Sequence, residues 1–378
     1  MSSSQTVISG VPQGSVLGPL LFLILIGDID EDVASSFISS FADDTRVGNG
    51  VASLADMTRL QNDLVSVYMW AKRNNMELND DKFEHLRYLP TKTASPPCDT
   101  PYLSSTNSSI EQKPKLRDLG VTMSQDGTFT EYILEKATAM KSTMGWILRT
   151  FRTRDALPML TLWKSLVLST HDYCSQLWNP IRVGDIQSLE SVQQSFTRQI
   201  SSTRDLSYWE RLSSLGLYSL QRRRERYIAI YVWKILEGLV PNLSDYDSAI
   251  HIRNNDADRL GRRCRVPPIA RSAPTYIRNI RESSFSVAGP KIFNCLPIYI
   301  RDTRSSECNV TQFKAKLDQF LKTVPDEPLI PGYMPYRRCD SNSLIDWLKQ
   351  PHLHRTLGGS ILIQQSSGGR RDSGGRPP

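Results

Sequence analysis

Two stretches near the start of the chain decide its fold: residues 10–22 read GVPQGSVLGPLLF and residues 37–48 read FISSFADDTRVG. The first joins turn-forming residues to an apolar run, which predicts a turn followed by a helix. The second places Asp43 and Asp44 between two short apolar segments, which predicts a β-hairpin with both carboxylates in its turn. An Asp-Asp turn is most often a solvated corner. The alternative is a Mg²⁺ site, because adjacent carboxylates repel each other unless a cation offsets their charge.

The apolar run from Val16 to Ile26 has three possible interpretations: a signal peptide, a membrane helix or a core helix. No Lys or Arg precedes the run, as the charged region of a signal peptide requires. The run is also shorter than the ~20 apolar residues that a membrane helix needs. We therefore expect a buried core helix, and we expect no membrane as a partner.

The remaining patterns predict mainly strands and one helix before residue 130, and helices after it. Most of the helices follow from apolar residues spaced three and four apart, and the strands from short apolar runs. The helix over 219–237 follows from Ser219 as a cap at its start and Gly238 at its end. The predicted elements are a helix over 53–74, strands over 83–89 and 119–123, a surface loop over 91–109, and helices over 133–151, 186–200, 219–237 and 310–321. This order indicates an α+β protein.

Charge is distributed unevenly along the chain, which has a net charge of +7 and a sequence pI near 9.0. Residues 1–110 hold seven Lys or Arg against 13 Asp or Glu, whereas residues 111–378 hold 39 against 26. The basic part favours a polyanionic partner, and the cluster Arg222-Arg223-Arg224 is either a solvated helix face or a phosphate contact. The six cysteines are widely spaced and form no CxxC pair, which is typical of independent thiols inside the cell, in the nucleus or cytoplasm.

Taken in order, these motifs resemble the reverse transcriptases of non-LTR retrotransposons of the jockey/chicken-repeat type. Residues 10–22 resemble the loop and helix that contact the template and nucleotide, and residues 41–44 resemble the FADD catalytic hairpin. Residues 70–82 resemble the following lysine motif, and residues 119–121 resemble the primer grip. Joint occurrence in this order is far more specific than any single motif.

The resemblance implies an organisation in three parts. Residues 1–130 are expected to form a partial reverse-transcriptase palm, residues 131–325 a mainly α-helical thumb-like region, and residues 326–378 an irregular to disordered tail. The implied cofactor is Mg²⁺, two ions in the complete enzyme, and the implied partners are an RNA template, a DNA primer and dNTPs. The oligomeric state stays open.

The resemblance also assigns roles to individual residues. Asp43 and Asp44 are the expected metal ligands, and Lys82 completes the expected catalytic set. The other expected contacts are Pro12, Gln13, Gly14, Phe41 and Ala42 for nucleotide and template, Leu119, Gly120 and Val121 for the primer grip, and Arg222, Arg223 and Arg224 for the nucleic-acid backbone.

Family members carry a further palm motif before this region, and its aspartate completes the metal site. Because Gly10 lies only nine residues after Met1, we expect the chain as given to lack that aspartate and the fingers, and to be inactive alone. Asp28, Asp30 and Asp32 are interpreted as a solvated helix end rather than as replacements. The alternative hypotheses are a non-catalytic, retrotransposon-derived nucleic-acid-binding protein and a gene-model fragment.

Overall fold

The computed structural model describes residues 14–89, 100–180, 182–242, 249–251, 262–302, 308–328, 330 and 341–349. The chain divides into two compact units, Met1–Thr128 and Phe129–Pro378. Each unit has its own apolar core, and the two are described separately below.

The first unit combines helices with short paired strands. Its elements are α1 (Gly18–Ile26), β1 (Phe37–Phe41), β2 (Asp44–Gly48), α2 (Leu54–Arg73), a 3₁₀ turn (Asp80–Lys82), β3 (Glu84–His85), β4 (Glu111–Gln112), β5 (Lys115–Asp118) and β6 (Val121–Ser124). The pairs β1–β2 and β5–β6 are antiparallel, and β3–β4 is parallel. In the described part of this unit, each pair is a two-stranded sheet of its own.

Helix α2 organises the first unit, and its predicted range is confirmed. Ser53 caps the helix in a reciprocal capping box with Asp56, which satisfies two backbone donors at the helix start. Its apolar face then contributes to two clusters. Val67, Trp70 and Ala71 pack with Ile26 and Ile29, and Met57 and Leu60 pack with Tyr102 and Ile110.

Helix α1 corrects the expectation of a buried core helix. Its ends Gly18 and Ile26 are buried, and Phe22 is half-buried against the cluster of Val67 and Trp70. Leu20, Leu21, Leu23, Ile24 and Leu25 are instead exposed. The sequence offered no polar face that would orient this helix, and the cluster covers only one of its sides. None of the described helices is long and apolar enough to cross a membrane.

Every named element in the described part of the second unit is a helix or a helical turn. Its elements are α3 (Thr130–Thr150), α4 (Ala156–Leu162), a π-helical turn (Trp163–Val167), α5 (Leu168–Asp172), α6 (Val183–Thr197), α7 (Tyr208–Ser214), α8 (Leu220–Leu236), α9 (Thr275–Ser283), α10 (Phe285–Cys295), α11 (Ile298–Arg301), α12 (Val310–Leu321) and α13 (Leu344–Leu348). Helix α8 packs against α6, α10 and α12 and forms the centre of the unit.

The packing around α8 depends on close fits. Trp233 of α8 stacks on Phe313 of α12, with ring centroids 4.8 Å apart. A Cβ at Gly289 of α10 would lie 2.9 Å from Val232 Cγ2, so glycine lets the two helices approach. The predicted helices that begin after Ser219 and at Val310 are confirmed.

The segment after residue 325 is only partly as expected. Leu344–Leu348 forms α13, and Trp347 is buried in the same core as Trp233. Ser343 caps this helix through its hydroxyl, which accepts from Ile345 N. An irregular tail is therefore the wrong description for residues 341–349, and residues 351–378 lie outside the described residues.

Candidate functional site

The acidic pair lies at the tip of the β1–β2 hairpin. The strand register pairs Phe37 with Gly48 and Phe41 with Asp44, which leaves Ala42 and Asp43 as the two turn residues. The predicted hairpin is confirmed with one correction: Asp44 opens the returning strand instead of lying in the turn. Ala42 has a φ of +54°, a left-handed conformation that is costly for a residue with a Cβ.

Both carboxylates at this tip are exposed to solvent. Among the described residues, neither Asp43 nor Asp44 has a side-chain hydrogen bond or an ion pair. Phe41, the last residue before the turn, is 67% exposed and adds an apolar surface beside them. The tip thus presents two adjacent negative groups that the described part of the chain does not neutralise, which suits a divalent cation.

Other carboxylates of the first unit are already used by the fold. The Trp70 indole donates to Asp28 Oδ1 at 2.9 Å, and Asp32 forms an ion pair with Arg73. Asp28 therefore holds the end of α1 against α2. Asp28, Asp30 and Asp32 are all exposed, which agrees with their interpretation as a solvated helix end.

Asp63 of α2 fixes the segment that enters the hairpin. Its carboxylate accepts from the backbone N of Ala34 at 3.0 Å and from the hydroxyls of Ser35 and Ser36 at 2.6 and 2.7 Å. Burial alone would raise the pKa of Asp63, but these hydrogen bonds outweigh it and lower the pKa. Asp63 thereby positions β1, a role that sequence reasoning missed.

Lys82 ends the short 3₁₀ turn and is exposed. Asp80, two residues earlier, accepts from the hydroxyls of Ser104 and Thr106 at 2.7 Å each. Hydrogen bonds from Thr106 and Ser104 lower the pKa of Asp80 to about 2. Phe83 then packs in the same cluster as Val47 of β2, so the core links the lysine turn to the hairpin.

The expected primer-grip residues form a second hairpin. Asp118 pairs with Val121, and both residues between them have positive φ, +43° at Leu119 and +80° at Gly120. Two positive values are characteristic of the type I′ turn, which suits a two-residue hairpin. The strand predicted from residue 119 therefore begins only at Val121, after the turn.

The expected nucleotide- and template-binding loop is described only in part. Pro12 and Gln13 lie outside the described residues. Gly14 is described, is exposed and has a φ of +80°, which a residue with a side chain rarely adopts.

The arginine cluster on α8 requires a correction. Arg222 and Arg224 are 0% exposed, so their side chains are not a solvated face and cannot meet a phosphate in solvent in this conformation. Arg222 Nη2 donates to the backbone oxygens of Pro325 and Asn342 at 3.2 Å each. Arg223 is half-buried and forms an ion pair with Asp172 at 2.6 Å.

A buried ionic network explains how α8 encloses two guanidinium groups. Arg222 Nε lies 3.3 Å from Glu225 Oε2, and Arg224 Nη1 lies 3.0 Å from His171 Nε2. Burial raises the pKa of Glu225 to about 7, while the charge of Arg222 opposes that rise. Burial also lowers the pKa of Arg224 to about 10. Arg222 and Arg224 thus belong to the structural core of the second unit.

No group of three His, Cys, Asp or Glu side chains within the described ranges could hold a metal ion.

A comparison with known families identifies the first unit. The family model described as reverse transcriptase (RNA-dependent DNA polymerase) matches residues 2–123. The chain therefore contains a segment that is similar to reverse transcriptases. The matched range contains the Asp43–Asp44 hairpin, Lys82 and the Leu119–Gly120 turn.

The chain as a whole is also similar to polymerases of mobile elements. It is similar to the probable RNA-directed DNA polymerase from transposon X-element of Drosophila melanogaster, at 25% identity over 209 residues, 53% of this chain and 22% of the relative. It is also similar to the RNA-directed DNA polymerases from mobile element jockey of Drosophila melanogaster and Drosophila funebris. The Drosophila melanogaster polymerase is 25% identical over 244 residues, which are 60% of this chain and 26% of the relative. The Drosophila funebris polymerase is 23% identical over 232 residues, which are 57% of this chain and 25% of the relative.

The resemblance to reverse transcriptases of jockey-type non-LTR retrotransposons is therefore confirmed. The chain spans about a quarter of the length of the curated relatives it matches. No solved structure matches it. Its mixture of helices and short strands is consistent with a partial reverse transcriptase domain.

Proposed function

We propose that this chain supplies the acidic hairpin of an RNA-directed DNA polymerase, which extends a DNA primer on an RNA template with dNTPs. The observation that carries the proposal is the hairpin tip, where Asp43 and Asp44 are adjacent and exposed. Neither has a side-chain partner in the described part of the chain, whereas Asp28, Asp63 and Asp80 are all engaged by the fold.

The two carboxylates have distinct proposed roles. Asp43, in the turn, is the proposed direct ligand of Mg²⁺, and Asp44 at the start of β2 is its partner or orienting support. When bound, the two Mg²⁺ ions of the complete enzyme supply charge stabilisation at the primer 3′-hydroxyl and the leaving pyrophosphate. Lys82 offers a proton or positive charge to the leaving group, and its exposed position leaves it free to do so.

The proposal is also supported by contacts that hold the base of the hairpin, away from its tip, against α2. Asp63 fixes residues 34–36 before β1, and Val47 of β2 packs with Met57 and Leu60 of α2. A tip on a fixed base keeps its carboxylates within the narrow tolerances that catalysis requires. The strained φ of Ala42 belongs to the same tip.

We further propose that the site needs a third carboxylate from outside the described residues. Two metal ions need more oxygen ligands than one acidic pair provides, and Asp28 is already bound to Trp70. The 378-residue chain should then position substrates without catalysing extension. A purely nucleic-acid-binding role is the second candidate, and the basic balance of residues 111–378 favours it.

Primer extension on an RNA template with Mg²⁺ separates these candidates. The 378-residue chain is assayed alone and after fusion to the part of a jockey-type polymerase that precedes the matched region. We expect extension only from the fusion, and we expect Asp43→Asn to abolish it. The matched control is Asp81→Asn, because Asp81 is an exposed acidic residue of the same unit and should be dispensable.

The result that contradicts the polymerase proposal is a fusion whose activity survives Asp43→Asn. Robust extension by the 378-residue chain alone contradicts the need for an outside carboxylate. Binding of primed template without extension by any fusion favours the nucleic-acid-binding role.

A further inference from the structure

A cleft of about 270 Å³ lies in the second unit where the π-helical turn, α8 and α12 meet. Its lining includes Lys164, Arg223, Arg226, Tyr227 and Asp318. We propose that this cleft binds a phosphodiester group of a nucleic-acid strand. The proposal rests on the proposed function for its source of phosphodiesters, but its geometry is independent of the Asp43–Asp44 hairpin.

Two arginines of the cleft are held in fixed orientations by carboxylates. Arg223 Nε and Nη2 donate to the two oxygens of Asp172 at 2.8 and 2.6 Å. Arg226 makes the same two-pronged contact with Asp318, where Nη2 and Oδ2 are 2.7 Å apart. Each arrangement uses Nε and Nη2, so Nη1 of both arginines has no hydrogen-bond partner among the described residues. A donor that is already immobilised loses little entropy when it binds a ligand.

Tyr227 fixes the space between the two guanidinium groups. The central carbons of Arg223 and Arg226 lie 5.3 and 5.7 Å from its ring centroid, so both cations contact the same aromatic ring. The Tyr227 hydroxyl donates to Asp172 Oδ2 at 3.1 Å, which anchors the ring. The two spare Nη1 groups therefore belong to one rigid assembly.

Lys164 adds the third cation, and its local backbone is unusual. It lies in the π-helical turn Trp163–Val167, a rare geometry that is often found at functional sites. Lys164 is exposed and has no ion pair among the described residues. Gly216, with a φ of +61°, also lines the cleft.

The charges and size of the cleft select a small anion. Asp172 and Asp318 are already engaged by arginines, so the groups left without partners are cationic. A volume of about 270 Å³ falls just below the ~300–1,000 Å³ of pockets that enclose drug-sized ligands. A phosphate group with part of its sugar suits this space better than a whole nucleotide. The strongly basic balance of residues 111–378 favours a strand that presents many such groups.

The test measures binding of the full 378-residue chain to a fluorescent single-stranded oligonucleotide of mixed sequence, over a series of NaCl concentrations. EDTA is present and dNTPs are absent, so the hairpin plays no part. We expect Lys164→Ala to weaken binding ~3- to 10-fold and to reduce the salt slope by about 0.7, the value for one lost phosphate contact. Lys164→Glu should weaken binding further.

The matched control is Lys316→Ala, because Lys316 is exposed on α12 and does not line the cleft. Its affinity and salt slope should equal those of the unmodified chain, as should those of Asp43→Asn. Equal binding by the Lys164 and Lys316 variants overturns the proposal. Binding of inorganic phosphate that Lys164→Ala weakens, with oligonucleotide binding left unchanged by the same substitution, would assign the cleft to free phosphate instead and also overturn the proposal.

The two proposals fail in different ways. If the fusion still extends the primer after Asp43→Asn, the polymerase proposal is wrong, but the proposal for the cleft is unaffected. Unchanged binding by Lys164→Ala removes the cleft but leaves the hairpin chemistry intact.

Discussion

Arg46 of β2 and Asp118 of β5 form an ion pair, with Nε and Oδ1 2.8 Å apart. The contact joins the hairpin of Asp43 and Asp44 to the hairpin whose turn holds Leu119 and Gly120. Two elements that are separate in sequence are thereby coupled within the first unit.

This coupling can be measured with a double-mutant cycle of Arg46→Ala and Asp118→Ala. The two side chains are 39% and 22% exposed, so we expect a coupling free energy of only about 0.5–1 kcal/mol, falling as salt is added. Denaturant unfolding of the four proteins provides the value. A coupling energy indistinguishable from zero at low salt would show that the two hairpins are held by apolar packing alone.

Asp63 should contribute, together with Asp80, to the acid sensitivity of the first unit. Its folded-state pKa lies below the ordinary 3.8, so its contribution to stability is complete above that pH and is lost as the pH falls through the lowered pKa. Asp63→Asn leaves charge-assisted hydrogen bonds from Ser35 and Ser36 unmade and should cost about 2–4 kcal/mol at neutral pH.

Urea unfolding of the chain and of Asp63→Asn from pH 7 down to pH 2 tests this prediction. The difference in free energy of unfolding between the two proteins should narrow as the pH falls below about 4. Asp81→Asn serves as the control, because Asp81 is exposed. If that difference in free energy stays constant with pH, the lost stability comes from altered packing and not from the lost charge.

His171 should be neutral and protonated at Nδ1. Its Nε2 faces Arg224 Nη1, which can only donate, and its Nδ1 faces Asp172 Oδ1 at 3.1 Å, which accepts. Burial lowers the pKa of His171 to about 4, and the nearby charge of Arg224 adds to this effect. Nitrogen chemical shifts of the ring should show this tautomer at pH 6.

The pH dependence of stability should also reflect the lowered pKa of His171. A depressed folded-state pKa means that the His171 contribution is complete above pH 6.5 and is lost as the pH falls toward 4. The stability difference between the unmodified chain and His171→Gln should therefore shrink over that interval. Glu190 and Glu225, whose pKa values burial raises to about 7, are present in both proteins and affect both alike. A difference that grows on acidification would contradict the assigned tautomer.

Local patterns were sufficient where short-range physics decides structure. Apolar spacing identified α2, the terminal residues Ser219 and Gly238 identified α8, and the short apolar segments on either side of Asp43 and Asp44 identified the hairpin. The same residues carried the family resemblance. The turn at Leu119 and Gly120 was readable in principle, because a glycine between two short strands is a hairpin signal.

Long-range packing could not be predicted from the sequence. The sequence Arg222-Arg223-Arg224 resembles a surface cluster, and only the fold shows that Arg222 and Arg224 face Glu225 and His171 inside the protein. The exposure of Leu20 and Ile24 on α1 likewise depends on which elements cover that helix. The role of Asp63 required knowing that residues 34–36 return to α2.

Iron-mediated cleavage tests most directly whether Asp43 and Asp44 hold the divalent cation. Fe²⁺ replaces Mg²⁺ in the fused polymerase with primed template bound, ascorbate and peroxide generate hydroxyl radicals, and mass spectrometry maps the broken backbone. We predict cleavage around residues 41–46, lost when Asp43 and Asp44 are both changed to Asn and retained in Asp81→Asn. Cleavage that persists around residues 41–46 in the double variant, or that centres on Asp28 and Asp30 instead, would contradict the account.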